Sequence, residues 1–279
     1  MKYICYSVLG GLLLVALTWI GLVLPMCNTE DEASLLSNSQ HYIAHAAGAV
    51  DERTYLNCKE GLLSSLENGY TYIELDLGLT ADSNLVCVHD WPSFNKKTGG
   101  DSLKSDAPIV NAEFLKKKIH GKYTPLTLEE ALSIRENHPY VIVTDKISNP
   151  NILNKFFRKN RESIMVEAFS VSDYIELKEA GYVPMMSLWC FDFTKLFRYF
   201  VYYPLKYSVE IDWICVHSSS DMKSLRALKR LFNCKVAMYS SNSASFFREH
   251  LGKEVDLIYT DNWNLKTKSN NDMIHTATY

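Results

Sequence analysis

Two acids, Glu74 and Asp76, and the pair His89 and Asp90 are the residues of this chain best suited to chemistry. They share the stretch 72–91, in which Tyr72, Ile73, Leu75, Leu77 and Leu79 surround the acids. A near-continuous apolar run of this kind suits a strand buried on both faces, as in a parallel sheet. Residues two apart on a strand point to the same side, so the two carboxylates stand together. They repel unless something positive lies between them, and a divalent cation with a preference for oxygen ligands, Mg²⁺ or Ca²⁺, answers that need. Eight residues separate Asp76 from Leu85, too few for a crossover helix, so the chain must turn over 80–84 and return as a hairpin. The return brings His89 beside the acids. A metal pair with an imidazole next to it suits ester hydrolysis.

The elements that would position these groups alternate between strand and helix, which implies a parallel sheet. Strands are expected near 42–45, 71–76, 140–145, 163–168, 183–188, 211–217, 235–240 and 255–260. Helices are expected near 56–68, 151–160, 171–180, 192–207, 220–232 and 243–251. A further helix begins at Thr127, with Glu130 completing a capping box. An irregular insertion is expected from 96 to 123. With the hairpin left out, the pattern makes an α/β fold, a (β/α)8 TIM barrel with a hairpin and loop insertion after strand 2. In such barrels the active site lies at the C-terminal strand ends. The polar residues recur there: His45, Glu74 and Asp76, Asp145 and Lys146, Glu167, Trp189, His217 and Asp261.

The short strand ending in His45-Ala46-Ala47-Gly48 makes the pattern specific. Together, His45, Glu74-x-Asp76 and His89-Asp90 resemble the glycerophosphodiester phosphodiesterase family, within the wider group that includes phosphatidylinositol-specific phospholipases C. Thr144-Asp145-Lys146 and Thr260-Asp261 match its later strand ends, and the resemblance spans roughly 41–263. It implies that His45 and His89 form a general acid–base pair and that Glu74, Asp76 and Asp145 hold one Mg²⁺ or Ca²⁺. Lys146 and Asn57 would contact the phosphate, and Glu167, Trp189 and Trp91 are further substrate contacts. The chain departs from the family pattern in three places, one of them the later Glu ligand, which is here Asp145, shorter by one methylene. His-Arg-Gly is here His45-Ala46-Ala47-Gly48, so the phosphate-clamping Arg is missing. Glu-Asn-Thr reads Leu56-Asn57-Cys58, which keeps only the Asn. The implied activity is metal-dependent hydrolysis of a phosphodiester, whether a glycerophosphodiester, a phospholipid or an envelope-associated diester. The alternatives are phospholipase-C-like cleavage through a cyclic phosphate with little metal dependence, and a non-catalytic barrel that binds a phosphorylated ligand.

Composition bounds the rest. Residues 3–26 carry no charge, and about 20 apolar residues suffice to cross a bilayer. Residues 1–27 are therefore expected to be an N-terminal transmembrane helix or a signal segment. Lys2 precedes the segment and Glu30, Asp31 and Glu32 follow it, which places the barrel on the extracytoplasmic side. Residues 28–40 read as a polar linker, 41–265 as the barrel and 266–279 as a polar tail. The net charge of −3 gives no footprint for nucleic acid. The seven cysteines contain no C-x-x-C pair, which argues against zinc and against a dense disulfide framework. The aromatic run 191–203, with Lys195, Arg198 and Lys206 nearby, suits core packing or a helix resting on a membrane surface. The expected partners are thus a phosphodiester small molecule or lipid, and the membrane.

Overall fold

The computed structural model describes residues 17, 18, 20–27, 30–99, 107–188 and 197–266. Its strands are β1 (Tyr42–Ala44), β2 (Tyr72–Leu79), β3 (Leu85–Cys87), β4 (Val141–Asp145), β5 (Ile164–Ala168), β6 (Val183–Ser187), β7 (Trp213–His217), β8 (Lys235–Tyr239) and β9 (Leu257–Thr260). All pair in parallel except β3, which returns antiparallel along the far end of β2. Strand β1 pairs with both β2 and β9, so the eight parallel strands close into a barrel.

The alternation of each strand sorts its side chains between two layers. On β2, Ile73, Leu75 and Leu77 face the helices, where they join the main core with Leu62, Leu128 and Phe247. Glu74 and Asp76 have the opposite parity and face the barrel interior. A second cluster fills that interior: Ile43, Val143, Met165, Met185, Cys215, Ala237, Leu257 and Tyr259, contributed by β1 and β4 to β9. It is a packed plug, not a channel.

The helices that matter for the site are α1 (Glu32–Ser37), α2 (Lys59–Glu67), α3 (Trp91–Lys97), α4 (Asn111–Phe114), α5 (Leu128–Asn137), α6 (Pro150–Phe156) and α7 (Val171–Glu179). Helix α8 (Tyr203–Tyr207) follows a π-helical turn, Phe197–Tyr202, and α9 (Met222–Phe232) and α10 (Ala244–His250) complete the set. Three differ from expectation. Helix α2 starts three residues late because the Cys58 thiol caps it, accepting the Gly61 N–H at 3.3 Å. Helix α6 stops at Phe156, and a 3₁₀ turn at Arg161–Ser163 follows. The stretch read as a linker contains α1, capped by Asp31, whose Leu35 is buried against the barrel.

The insertion is also more ordered than its composition suggests. Asp90 caps α3 by accepting the Ser93 N–H at 2.6 Å, and Pro92 occupies the first turn, where its missing N–H costs nothing. Phe94, Phe114, Ile119 and Tyr123 then pack on Leu56, Cys58, Val86 and Val88, giving hairpin and insertion a core of their own.

The expected transmembrane helix falls mostly on residues outside the described set. Among the described residues, no helix is long and apolar enough to cross a membrane. Trp189 and the run 191–196 also lie outside the described residues, as does the tail from 267 onward. The described cysteines, Cys27, Cys58, Cys87, Cys215 and Cys234, are all free thiols.

Candidate active site

Asp76 and Asp145 are register partners on adjacent parallel strands, and Glu74 lies one alternation earlier on the same side of β2. Their carboxylate oxygens come within 4.8 Å of one another. Glu74 and Asp76 are almost wholly buried. Each is held from the outside. Glu74 accepts the Ala46 N–H at 2.5 Å. Asn57 binds Asp76 on both sides, Nδ2 donating to Oδ2 at 2.7 Å and Oδ1 accepting the Asp76 N–H at 3.1 Å. The Lys146 ammonium stands 2.7 Å from Asp145 and 3.7 Å from Asp76.

One ammonium does not balance three carboxylates. Burial, then the charges of Asp76 and Asp145, raise the proton affinity of Glu74 well above the usual carboxylate range. Asp145 is pushed up to about 8 by burial and by Asp76, in spite of its ion pair with Lys146. Lys146 stays protonated because the same acids outweigh the effect of its own burial. Asp145 Oδ1 is buried without a hydrogen-bond partner among the described residues. An unpartnered oxygen, three converging carboxylates and an excess of negative charge together fit a hard divalent cation.

Two imidazoles flank the acids. His45 follows β1, and its Nδ1 lies 3.1 Å from Asp261 Oδ1 beyond β9. His89 ends the hairpin, and its Nδ1 lies 2.6 Å from Asp90 Oδ2. Burial raises the proton affinity of Asp261, but the bonds from His45 and Asn242 and the His45 charge together hold it below the usual carboxylate range. For Asp90, His89, the Ser93 N–H and Lys97 together do the same. Each carboxylate therefore favours a proton on Nδ1 and leaves the ring lone pair on Nε2. Tyr55 stands beside both rings, with centroids 4.4 Å from His45 and 6.4 Å from His89. Burial and Asp261 push its phenol up to about 12, so it stays a hydrogen-bond donor.

The backbone is bent to make this arrangement. Ala46 (φ 49°), Tyr55 (φ 56°), Asn57 (φ 48°) and Lys146 (φ 64°) all lie in the left-handed region, a concentration typical of functional sites. Gly48, at φ 86°, closes the turn after His45, where a Cβ would sit 1.9 Å from Ser65 Oγ.

The remaining expected contacts fall differently. Asn57 is buried, with its carboxamide bonded to Asp76 on both sides, so it orients a carboxylate. Trp91 packs on Phe94 and Phe114 in the insertion core. Glu167 is buried beside the acids, bonded to Ser187 and Cys215, with its proton affinity raised by burial. His217 bonds Ser219 at 2.7 Å through Nδ1. Tyr55 was not anticipated, although its place two residues before Asn57 is a usable signal. Asp261 was expected on the rim without a role. Only ring closure puts it beside His45.

A family model, the Glycerophosphoryl diester phosphodiesterase family, matches residues 57–244. The chain belongs to this family. It is accordingly a phosphoric diester hydrolase. The fold agrees. A glycerophosphodiester phosphodiesterase structure from Galdieria sulphuraria is similar at 14% identity and TM-score 0.64, covering 81% of this chain and 95% of that one. A phosphodiesterase from Oleispira antarctica, solved with the product sn-glycerol-3-phosphate, has 16% identity and TM-score 0.64, covering 81% and 94%. A relative from Parabacteroides distasonis has 15% identity and TM-score 0.61, covering 86% and 90%. No curated protein sequence matches the chain significantly.

Proposed function

We propose that the protein hydrolyses a glycerophosphodiester, or a lipid or envelope diester of similar chemistry, by histidine acid–base catalysis beside a divalent cation. The observation that carries this reading is the pair of imidazoles, each oriented through Nδ1 by its own carboxylate, on either side of three converging acids. Glu74, Asp76 and Asp145 would hold Mg²⁺ or Ca²⁺, which polarises a phosphoryl oxygen and offsets its charge when bound. One imidazole Nε2 takes the proton of the attacking hydroxyl, and the other returns a proton to the departing alkoxide. Lys146 donates to a phosphate oxygen as a point charge. Tyr55 stands beside both rings, 4.4 Å from His45 and 6.4 Å from His89 between centroids. The attacking hydroxyl belongs to water in simple hydrolysis. If it belongs to the substrate, the product is a cyclic phosphate.

The test is turnover by the full chain in detergent, against a panel of glycerophosphodiesters and phospholipids, with Mg²⁺, Ca²⁺ or chelator. Cation-dependent turnover without a cyclic product is expected. His45→Ala and His89→Ala should each lower kcat by about 10²–10⁴ at unchanged Tm. Chelator-resistant turnover with a cyclic phosphate visible by ³¹P NMR would favour the phospholipase-C-like route. Full activity in both histidine variants would remove the acid–base assignment.

A membrane-held, extracytoplasmic barrel is the location this reading favours. Support comes from the end of the apolar segment, where Leu17, Ile20 and Leu24 are exposed while Arg226 and Arg230 bond the carbonyls of residues 21–23 and 25. Phe197, Tyr202, Leu205 and Tyr207 are also exposed, with Arg198 and Lys206 stacked on the tyrosines of α8 and its preceding turn. Rings with basic residues among them suit a headgroup layer. Retention in the membrane pellet after alkaline carbonate washing, with the barrel open to external protease, is expected. Release into the wash would refute the anchor.

A further inference from the structure

The turn that carries His45 offers no side-chain donor to a phosphate, because Ala46 and Ala47 fill it and the Ala46 N–H is committed to Glu74. A bound phosphodiester nevertheless brings negative charge close to three carboxylates, and Lys146 supplies a cation only on the Asp145 side. The histidine side needs one too.

We propose that Lys97, at the end of α3 in the insertion, is a phosphate-binding residue of this site, a proposal that rests on the phosphodiesterase reading above. Its Nζ donates to the Tyr55 carbonyl at 2.6 Å, which places the ammonium beside the residue that touches both imidazoles. Two of its three N–H donors remain for a ligand among the described residues. The cation is half-buried, and the opposing charges that act on it are Asp90 and Asp76, one holding His89 and the other in the acid triad. No carboxylate of the described residues lies within ion-pair distance of it, unlike Lys59, Lys122, Lys146, Lys178 and Lys229. Burial lowers its proton affinity, as expected of an ammonium that lacks a paired anion.

The end of the helix is also fixed. The Lys97 carbonyl accepts the His120 N–H at 2.6 Å, and the Thr98 N–H returns to the Phe94 carbonyl at 3.0 Å. Phe94 itself is buried in the insertion core. Lys97 is thus held to the site from both ends, by packing below and by the Tyr55 carbonyl above. In this arrangement the insertion, and not the turn after β1, supplies the second phosphate cation. It follows that the substrate phosphate lies between Lys146 and Lys97.

The experiment uses the full chain in detergent with Lys97→Met, Lys97→Arg and the neighbouring exposed Lys96→Met as control. Binding of sn-glycerol 3-phosphate is measured by calorimetry in the presence of Ca²⁺ or Mg²⁺, alongside KM, kcat and Tm. Loss of one charge-assisted contact should weaken glycerol 3-phosphate and raise KM by about 10- to 100-fold in Lys97→Met. Lys97→Arg should restore most of the loss, and Lys96→Met should match wild type. Wild-type binding and KM in Lys97→Met would overturn the proposal while leaving the phosphodiesterase reading standing. A fall in Tm and kcat with unchanged glycerol 3-phosphate affinity would also overturn it, by showing Lys97 to be only a structural tie to Tyr55. A wild-type protein that neither turns over a diester nor binds glycerol 3-phosphate would overturn both.

Discussion

At the scale of single residues, the site separates groups that converge on its centre from groups that hold those groups in place. Asn57 shows the difference. Its residue type suits a phosphate donor, yet its carboxamide bonds Asp76 through both ends in a buried setting. Replacing a residue that orients a metal ligand in this way costs about 10- to 100-fold in cation affinity. Asn57→Ala should therefore weaken Ca²⁺ or Mg²⁺ binding by that factor in calorimetry. A variant with normal cation affinity and a raised KM would return Asn57 to the substrate. Asp261 acts on His45 from outside in the same way. Asp261→Asn should lower kcat more than KM, because it alters the tautomer of an imidazole and not a binding contact.

At the scale of elements, the hairpin and α3 form one device. Asp90 uses one oxygen to cap α3 and the other to hold His89, so helix start and imidazole position are set by a single side chain. Asp90→Ser keeps a capping oxygen and loses the carboxylate. It should leave Tm near wild type while lowering kcat. Asp90→Ala should do both, with a stability loss of about 1 kcal/mol for the missing cap, read by chemical denaturation. Gly78 makes the hairpin possible, since a Cβ there would sit 2.4 Å from Val88 Cγ1, one residue before His89. Gly78→Ala should push the hairpin outward, costing about 1–3 kcal/mol and lowering kcat at near-normal cation affinity. Wild-type kcat in that variant would show that the hairpin tolerates displacement.

At the scale of the whole molecule, ring closure concentrates negative charge at one end of the barrel, and cation and proton compete for it. Asp145 is raised to about 8 when folded, against roughly 3.9 for a free carboxylate. A raised folded value means that the native state holds the proton more tightly than the unfolded chain. Its stabilising effect is complete below pH ~4 and is lost as pH rises toward 8. In chelator, the protein should therefore lose stability over that window, and Asp145→Asn should lessen the loss. A divalent cation at a hundredfold excess over its Kd should restore about 2.7 kcal/mol. For a domain of this size that corresponds to about 5–10 °C in Tm, and at one fixed cation concentration the shift should be larger at pH 8.5 than at pH 6, where protons compete for the acids. A cation-induced shift that is absent, or larger at the lower pH, would contradict a carboxylate cation site.

The barrel and the acid pair were legible in the chain because they are local. Alternation placed Glu74 and Asp76 on one side of β2, the short 77–84 connection forced a hairpin, and His89 followed. Strand recurrence gave eight parallel strands because each must bury both faces. Other features depended on contacts between distant segments, about which periodicity carries no information. His45 and Asp261 meet across 216 positions only because β1 pairs with β9. Asp145 joins Asp76 only through the register of β2 and β4. Asn57, Trp91 and Lys97 have residue types open to several roles, and packing alone assigned the first to a carboxylate, the second to a core and the third to the Tyr55 carbonyl. The sequence by itself determined which strands form and which face each acid takes, since local sterics and burial set both. The closed barrel decided which groups meet, since that depends on ring closure and register.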